Sequence, residues 1–168
     1  MSRKLFQDAR GTFSKVFFDE ALSGLGSSFT VKELFWTMST HGVIRGMHFQ
    51  LPPYECEKLV WVSHGRIRDV VLDLRVDSPS FGTSVLSILD QQSGAVYVPS
   101  GCAHGYEVIS ESAVVNYAQS CNYVETHDGG VAWDSFGFVW TSQSPILSER
   151  DLQLPKMKDF YSCFRLHR

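Results

Sequence analysis

The sequence predicts an all-β fold, on three observations. Runs rich in Val, Ile, Phe, Tyr and Thr recur at intervals of about ten residues, and Gly, Pro, Asn, Asp and Ser punctuate them. Aromatic residues make up 13% of the chain, with 12 Phe, 6 Tyr and 4 Trp, a share suited to pleated surfaces and stacking walls. The 168 residues are enough for one domain with its own core and few for two, and no repeat, low-complexity tract or linker divides them. A single domain over residues 1–168 follows, built as a sandwich or barrel of short strands.

The elements read in order. "GTFSKVFF" (11–18) alternates apolar and polar residues and opens the series, and "FDEALSGLG" (18–26) reads as one helical turn ending in glycine. Strands follow at "SFTVKELFWTMS" (28–39), "GVIRGMHFQ" (42–50), "KLVWVSHG" (58–65), "RIRDVVLDLRV" (66–76), "TSVLSIL" (83–89), "GAVYVPSG" (94–101), "GYEVISE" (105–111) and "SAVVNYAQSCNYV" (112–124). The tail after Trp133 is mixed, and "SPILSERDLQLPKMKDFYSCF" reads as a short helix or a loop crossing the barrel. Strict alternation in 42–50 sets Ile44, Gly46, His48 and Gln50 on one face and Val43, Arg45, Met47 and Phe49 on the other. Arg45 and His48 would then point apart. A bulge at Gly46 would turn both toward one cavity.

The net charge of −3 and pI near 6.0 exclude a general nucleic-acid binder, which should be basic, and leave an anionic small molecule open to local arginines. The four cysteines (Cys56, Cys102, Cys121, Cys163) form no CxxC, no leader precedes Arg3 and Lys4, and no apolar run approaches the roughly 20 residues needed to cross a bilayer. The expectation is a reduced, cytoplasmic chain whose thiols are mostly small buried hydrophobes.

Four polar residues look expensive where they stand. His48 has apolar strand neighbours, Lys58 opens the run "KLVWV", His104 follows the Pro–Ser–Gly turn of "VPSGCAHGYEV", and Tyr117 shares a face with Ala113, Val115 and Gln119. A single half-buried histidine is most simply a core residue satisfied by one hydrogen bond. Four such residues on successive strands of one small barrel suggest a polar cluster in an apolar cup. "PSGCAH" also matches the second half of the cupin signature, P-x-G-x-x-H, and "GMHFQ" sits where the first half supplies H-x-H. Gln50 replaces the second histidine of that pair, so a two-histidine, one-carboxylate iron site would need His48, His104 and Glu55, with Glu57 as the other acid in reach. The missing ligand, and the cation of Lys58 that would repel a metal, point to chemistry without one.

"DARGTF", "GVIRGMHFQ", "EKLVWVSHGRIRDVVLDLRVDSPSFG", "VYVPSGCAHGYEVISESAVVNYAQSCNY", "GGVAWD" and "PILSERD" resemble, in order and spacing, the dTDP-sugar 3,5-epimerase family over residues 5–155. The resemblance implies a metal-free cupin jelly roll with short helical segments near the C-terminus. It implies a homodimer, no cofactor, and a nucleotide-diphosphate-linked 4-keto-6-deoxyhexose as substrate, inverted next to its ketone. Carried over by position, His48 matches the base, Asp151 the carboxylate orienting it, and Tyr117 the proton donor. Lys58 matches the lysine beside the enolate oxygen, Asp69 a partner for that lysine, and His104 the second histidine of the site. Arg10 and Arg45 match the grip on the diphosphate, Tyr123 a pocket aromatic, and Gln50 falls among the substrate-binding positions.

The chemistry accounts for these residue types. Histidine is a suitable base near neutrality, a carboxylate on its far nitrogen fixes its tautomer, and an enolate needs a preorganised positive donor. Inversion further needs an acid on the opposite face of the ring. The chain departs from the family at Lys15, where a glutamate is usual, at Glu33 and Phe35 for Gln and Asn, at Cys56 for Gln and at Trp61 for Arg. Catalytic positions hold while walls change, so inversion at C3, at C5 or at both stays open. The competing readings are a metal-dependent cupin oxygenase, a sugar ketoisomerase, and a nucleotide-sugar-binding cupin without chemistry.

Overall fold

The computed structural model of the chain describes residues 4–16 and 29–166. The helical turn expected over 18–26 lies outside the described residues. Eleven strands are present among those described: β1 (Lys4–Asp8), β2 (Gly11–Lys15), β3 (Glu33–Thr40), β4 (Ile44–Gln50), β5 (Lys58–His64), β6 (Arg66–Asp73), β7 (Ser84–Asp90), β8 (Val96–Val98), β9 (Cys102–Val108), β10 (Ser112–Gln119) and β11 (Asp128–Gly130). One sheet runs β3-β10-β5-β8 and the other β11-β4-β9-β6-β7, all antiparallel, while β1 and β2 form a separate hairpin. From β3 onward the chain changes sheet at every connection except β6 to β7, which is the winding of a jelly roll. The all-β cupin fold expected from the sequence is the fold observed.

Details differ from the sequence reading. The strand expected at 105–111 begins at Cys102, and the one expected to run to 124 stops at Gln119, where the chain turns toward β11. The expected helical segments near the C-terminus are α1 (Glu149–Leu152) and a 3-10 turn at Met157–Asp159. Ser148 caps α1 by accepting from the Asp151 N–H, as small hydroxyl residues do at helix starts.

Two apolar clusters explain why strand after strand of β-branched residues holds together. Between the sheets, Val60, Val62, Ile67, Val98, Val108 and Val115 are buried with Tyr106 and Tyr117. On the other side of the five-stranded sheet, the C-terminal segment lays Trp140, Phe160 and Phe164 over Ile44, Met47, Phe49 and Leu72. Each such side chain fully removed from water contributes about 1.5–3 kcal/mol. β9 is consequently buried on both faces along its whole length. Its polar residues are partnered: His104 with Asp69, and Glu107 with Arg68 and the N–H groups of Thr141 and Ser142.

The bulge expected at Gly46 is present. β4 pairs Arg45 with Tyr106 and His48 with His104, so three steps on β4 answer two on β9. Gly46 adopts φ +135°, and a Cβ there would stand 2.5 Å from Gly105 Cα. Gly46→Ala should therefore lose at least about 3 kcal/mol of stability in denaturant titration, or fail to accumulate as folded protein. An alanine variant as stable as the parent would show that the two strands do not touch here.

Candidate active site

A cavity of about 330 Å³ opens between the two sheets. The bulge aims both Arg45 and His48 into it, and β9 adds His104, β5 adds Lys58 and β10 adds Tyr117. The four-residue polar cluster read from the sequence is thus one wall system.

His48 keeps 23% of its side chain exposed and its Nε2 lies 2.6 Å from Oδ1 of Asp151, which is almost wholly buried. A carboxylate can only accept, so Nε2 carries the proton and Nδ1 the lone pair. Burial pulls the imidazole below its ordinary value, against the opposing pull of Asp151, and the nearby Arg150 and Lys58 cations add to the lowering. His48 is therefore neutral at pH 7. Burial alone would raise Asp151, but the hydrogen bond and charge of His48, the Gly46 N–H and Arg150 hold it below the ordinary carboxylate range.

Lys58 is buried, and desolvation brings its ammonium down to about 8, with Asp128 opposing and Arg150 assisting. Its Nζ lies 3.5 Å from the His48 carbonyl oxygen. His104 Nε2 meets Asp69 Oδ2 at 2.6 Å, deeper than the first pair. Tyr117 stands with its ring edge-on to His104 at 5.9 Å and stacked on Phe35 at 4.7 Å, 12° from parallel. Burial, and then the charges of Tyr106 and Asp69, hold its phenol well above the usual value, so it keeps its proton at neutral pH. Arg150 Nη1 reaches within 3.2 Å of His48 Nε2 and the guanidinium pairs with Asp128 at 2.6 Å at the cavity rim. The cavity can thus hold a neutral base, a buried cation and a protonated phenol around one small molecule. Among the described residues, no group of three or more His, Cys, Asp or Glu side chains is placed to hold a metal ion.

Comparison with known proteins matches the chain to a known family. Residues 1–159 match the family described as dTDP-4-dehydrorhamnose 3,5-epimerase. A dTDP-4-dehydrorhamnose 3,5-epimerase of Sinorhizobium fredii is 36% identical over 168 residues, covering 95% of this chain and 85% of that protein. The chain belongs to the dTDP-4-dehydrorhamnose 3,5-epimerase family. The Bacillus anthracis enzyme of that name, crystallised with TDP and pyrophosphate, superposes with a TM-score of 0.89 at 36% identity, over 93% of this chain and 91% of that one. A Legionella pneumophila dTDP-6-deoxy-D-glucose-3,5-epimerase in complex with dTDP-4-keto-L-rhamnose gives 0.92 at 26% identity, over 99% and 92%. The chain is accordingly an isomerase, an epimerase of nucleotide sugars.

Three expectations for this epimerase need correction. Asp69 is not the partner of Lys58: it bonds His104, because the register sets Asp69 opposite Tyr106 and so beside His104 on β9, while Lys58 belongs to the other sheet. Arg10 does not reach the cavity of its own chain: it sits exposed at the tip of the β1–β2 hairpin, paired with Asp8. The thiols are not all free. Lys58 pairs with Gln119 across β5 and β10, which brings the residues two positions outward, Cys56 and Cys121, opposite one another, and they form a disulfide with Cα atoms 5.4 Å apart. Cys102 stays buried and free as expected, while Cys163 is free and exposed.

Gln50 and Tyr123 line the cavity as expected, but Gln50 also has a structural duty. Its amide donates to the Tyr54 carbonyl and to Cys121 Sγ, and its oxygen accepts from the Val124 N–H, fastening the segment that carries Tyr123. Sequence reading placed Glu33 and Phe35 among the walls but missed Thr37, Asp128 and Arg150 as cavity residues. Period-two alternation along β3, counted from Glu33 and Phe35, would have found Thr37, and adjacency to Asp151 would have found Arg150.

The Cys56–Cys121 bridge has a sequence separation of 65, and closing so long a loop restricts the unfolded chain by about 4 kcal/mol in the chain-entropy view. Reduction with a strong thiol should lower Tm by about 10 °C. Alkylation before reduction should label Cys163 and spare Cys56 and Cys121; labelling of all three would remove the bridge.

Proposed function

We propose that this enzyme inverts one or both carbons flanking the ketone of a nucleotide-diphosphate-linked 4-keto-6-deoxyhexose, with dTDP as the nucleotide. The observation that carries the reading is the convergence, on one cavity, of an imidazole whose Nε2 is committed to Asp151 and a buried phenol that retains its proton. His48 takes the proton from the carbon α to the ketone through Nδ1, and the bonding pair moves onto the carbonyl oxygen as an enolate. Asp151 steadies the imidazolium so formed, and the Lys58 ammonium faces the oxyanion. Tyr117 returns a proton to the opposite face of the ring. His104, held by Asp69, serves as the second histidine of the site beside Tyr117. Arg45 takes the diphosphate, and Gln50 and Tyr123 border the substrate. The scheme needs no metal and no cofactor.

Two further parts belong to this reading. The outer face of β3 exposes Leu34 (71%), Trp36 (65%) and Met38 (62%) in a row, an apolar stripe that suits burial against a second copy in a homodimer. Arg10, remote from its own cavity, can grip a diphosphate only across such an interface. The cytoplasm is the proposed setting, where thiol reductants would act on the Cys56–Cys121 bridge.

The test is incubation with a dTDP-linked 4-keto-6-deoxyhexose in D2O, with NMR reporting label uptake and inversion at C3 and C5 separately. His48→Ala should abolish label uptake, and retained uptake would remove it as the base. Tyr117→Phe should slow inversion more than exchange, and equal loss of both would count against its place on the opposite face. Lys58→Ala should lower kcat by roughly a hundred- to a thousandfold.

The pH profile of kcat/KM should be a bell. Activity is lost on the acid side as His48 takes up a proton, with a midpoint below 6.5 because burial lowers that group. It is lost on the alkaline side near pH 8, as Lys58 gives up its charge. An alkaline limb unmoved in Lys58→Arg would show that another group sets it.

A further inference from the structure

Tyr117 has a neighbour on each of three sides, and the three hold it unequally. Across its own sheet it pairs in register with Val60 of β5 and with Phe35 of β3, and from the other sheet the His104 ring meets it edge-on at 5.9 Å. Val60 is wholly buried and His104 is tied to Asp69 at 2.6 Å, so neither yields easily. Phe35 is different. It stands on an edge strand, lines the cavity and keeps 39% of its surface exposed, with its ring 4.7 Å from that of Tyr117 and 12° from parallel. Aromatic residues directly opposite on antiparallel strands stack in this way because the pleat sets both side chains on one face. Asparagine, the residue usual in the family at this position, has no ring to stack.

A tyrosine side chain turns about two torsions, and each matters to a proton donor. The first sets where the hydroxyl oxygen stands. The second leaves that oxygen in place but turns the ring, and the O–H bond turns with it, because conjugation of the oxygen with the ring keeps the hydrogen in the ring plane. A ring lying flat on Tyr117 therefore restrains both the position of the oxygen and the direction of its proton. Transfer to a carbon needs that direction, since reacting atoms must be close and aligned. His48 takes its own orientation from Asp151 and from the Gly46 bulge, in the other sheet, so proton removal does not draw on Phe35.

We infer that Phe35 is a positioning residue: by lying flat on Tyr117 it fixes the plane in which the phenol points its proton, and so sets how often an enolate formed at His48 is inverted rather than returned in its original configuration. The inference rests on the reading of Tyr117 as the acid. In the step that Phe35 governs, the Tyr117 O–H bond breaks, its proton and the enolate pair form the new C–H bond, and the carbonyl is restored. The electron pair of the broken bond stays on the phenol oxygen until solvent returns a proton.

Phe35→Leu removes the ring and keeps an apolar side chain, Phe35→Asn installs the residue usual in the family, and Phe35→Tyr keeps the ring. With a dTDP-linked 4-keto-6-deoxyhexose in D2O, Phe35→Leu and Phe35→Asn should each slow net inversion roughly two- to tenfold, the value of one aromatic pair, and leave deuterium uptake near that of the parent enzyme. Phe35→Tyr should invert at the parent rate. Added to Tyr117→Phe, Phe35→Leu should slow inversion no further, because the hydroxyl it orients is already gone. Inversion unchanged in either of the first two variants, or a fall shared equally by inversion and exchange, would overturn the role of Phe35. So would a Phe35→Tyr enzyme as slow as Phe35→Leu, or a loss that persists on top of Tyr117→Phe. If Phe35→Leu does not fold, Phe35→Asn against Phe35→Tyr decides by the same readout. A parent enzyme that takes up no deuterium would instead overturn the epimerase reading, and a Tyr117→Phe enzyme that inverts at the parent rate would remove Tyr117 as the acid; either takes the role of Phe35 with it.

Discussion

The site depends on a contact between two pieces of bare backbone. Gly46 and Gly105 approach so closely that a Cβ on either would collide, at 2.5 Å from Gly105 Cα in one case and 2.8 Å from the Arg45 carbonyl oxygen in the other. This contact lets β4 gain one residue on β9, and the extra residue changes the parity of the strand. Without it Arg45 and His48 would face opposite sides of the sheet. With it, a cation and an imidazole share a cavity, and Met47 is left to the core on the far side. The Gly46 N–H also points to Asp151, so the same bulge helps hold the carboxylate behind the His48 imidazole.

A single physical cause, loss of water, then acts on three groups with three useful outcomes. Burial disfavours charge, so it lowers His48, lowers Lys58 and raises Tyr117. His48 becomes a neutral base at pH 7, held in one tautomer by Asp151. Tyr117 stays a protonated acid. Lys58 starts high enough that even at about 8 it remains mostly charged at neutrality. The same environment thus sorts imidazole, phenol and ammonium by their intrinsic values, without a separate device for each. Asp151 escapes the trend because its hydrogen bonds outweigh desolvation.

Much of this was legible in the sequence because strand parity is a strong signal. The alternation of β10 put Tyr117 on the inner face, and a glycine between Arg45 and His48 marked the bulge. Parity cannot say which strand lies beside which, and the corrections arise there. The family resemblance pairs Asp69 with Lys58, whereas strand order gives it to His104. Cys56 and Cys121 look unrelated at a separation of 65 until the Lys58–Gln119 pairing sets them face to face. Along β3 the pattern reads in reverse: Leu34, Trp36 and Met38 face outward, while Glu33, Phe35 and Thr37 line the cavity. An apolar-inside rule assigns that strand the wrong way round.

The placement of residues separates chemistry from recognition. His48, His104, Lys58 and Tyr117 stand on β4, β9, β5 and β10, each paired on both sides, and β9 is covered on both faces as well. Such strands are poorly able to shift, so the imidazoles, phenol and ammonium keep their mutual geometry. Glu33 and Phe35 stand instead on β3, at the open edge of its sheet, Tyr123 on a connecting segment and Arg150 on the one-turn helix α1. Two of the departures from the usual family pattern, Glu33 and Phe35, are on that edge, and Cys56 lies in the segment before β5. A wall of this kind can change while the pairs His48–Asp151 and His104–Asp69 are left intact. Phe35 is the exception that links the two layers, because its ring lies flat against Tyr117, and a change made at the wall there is felt directly by that phenol.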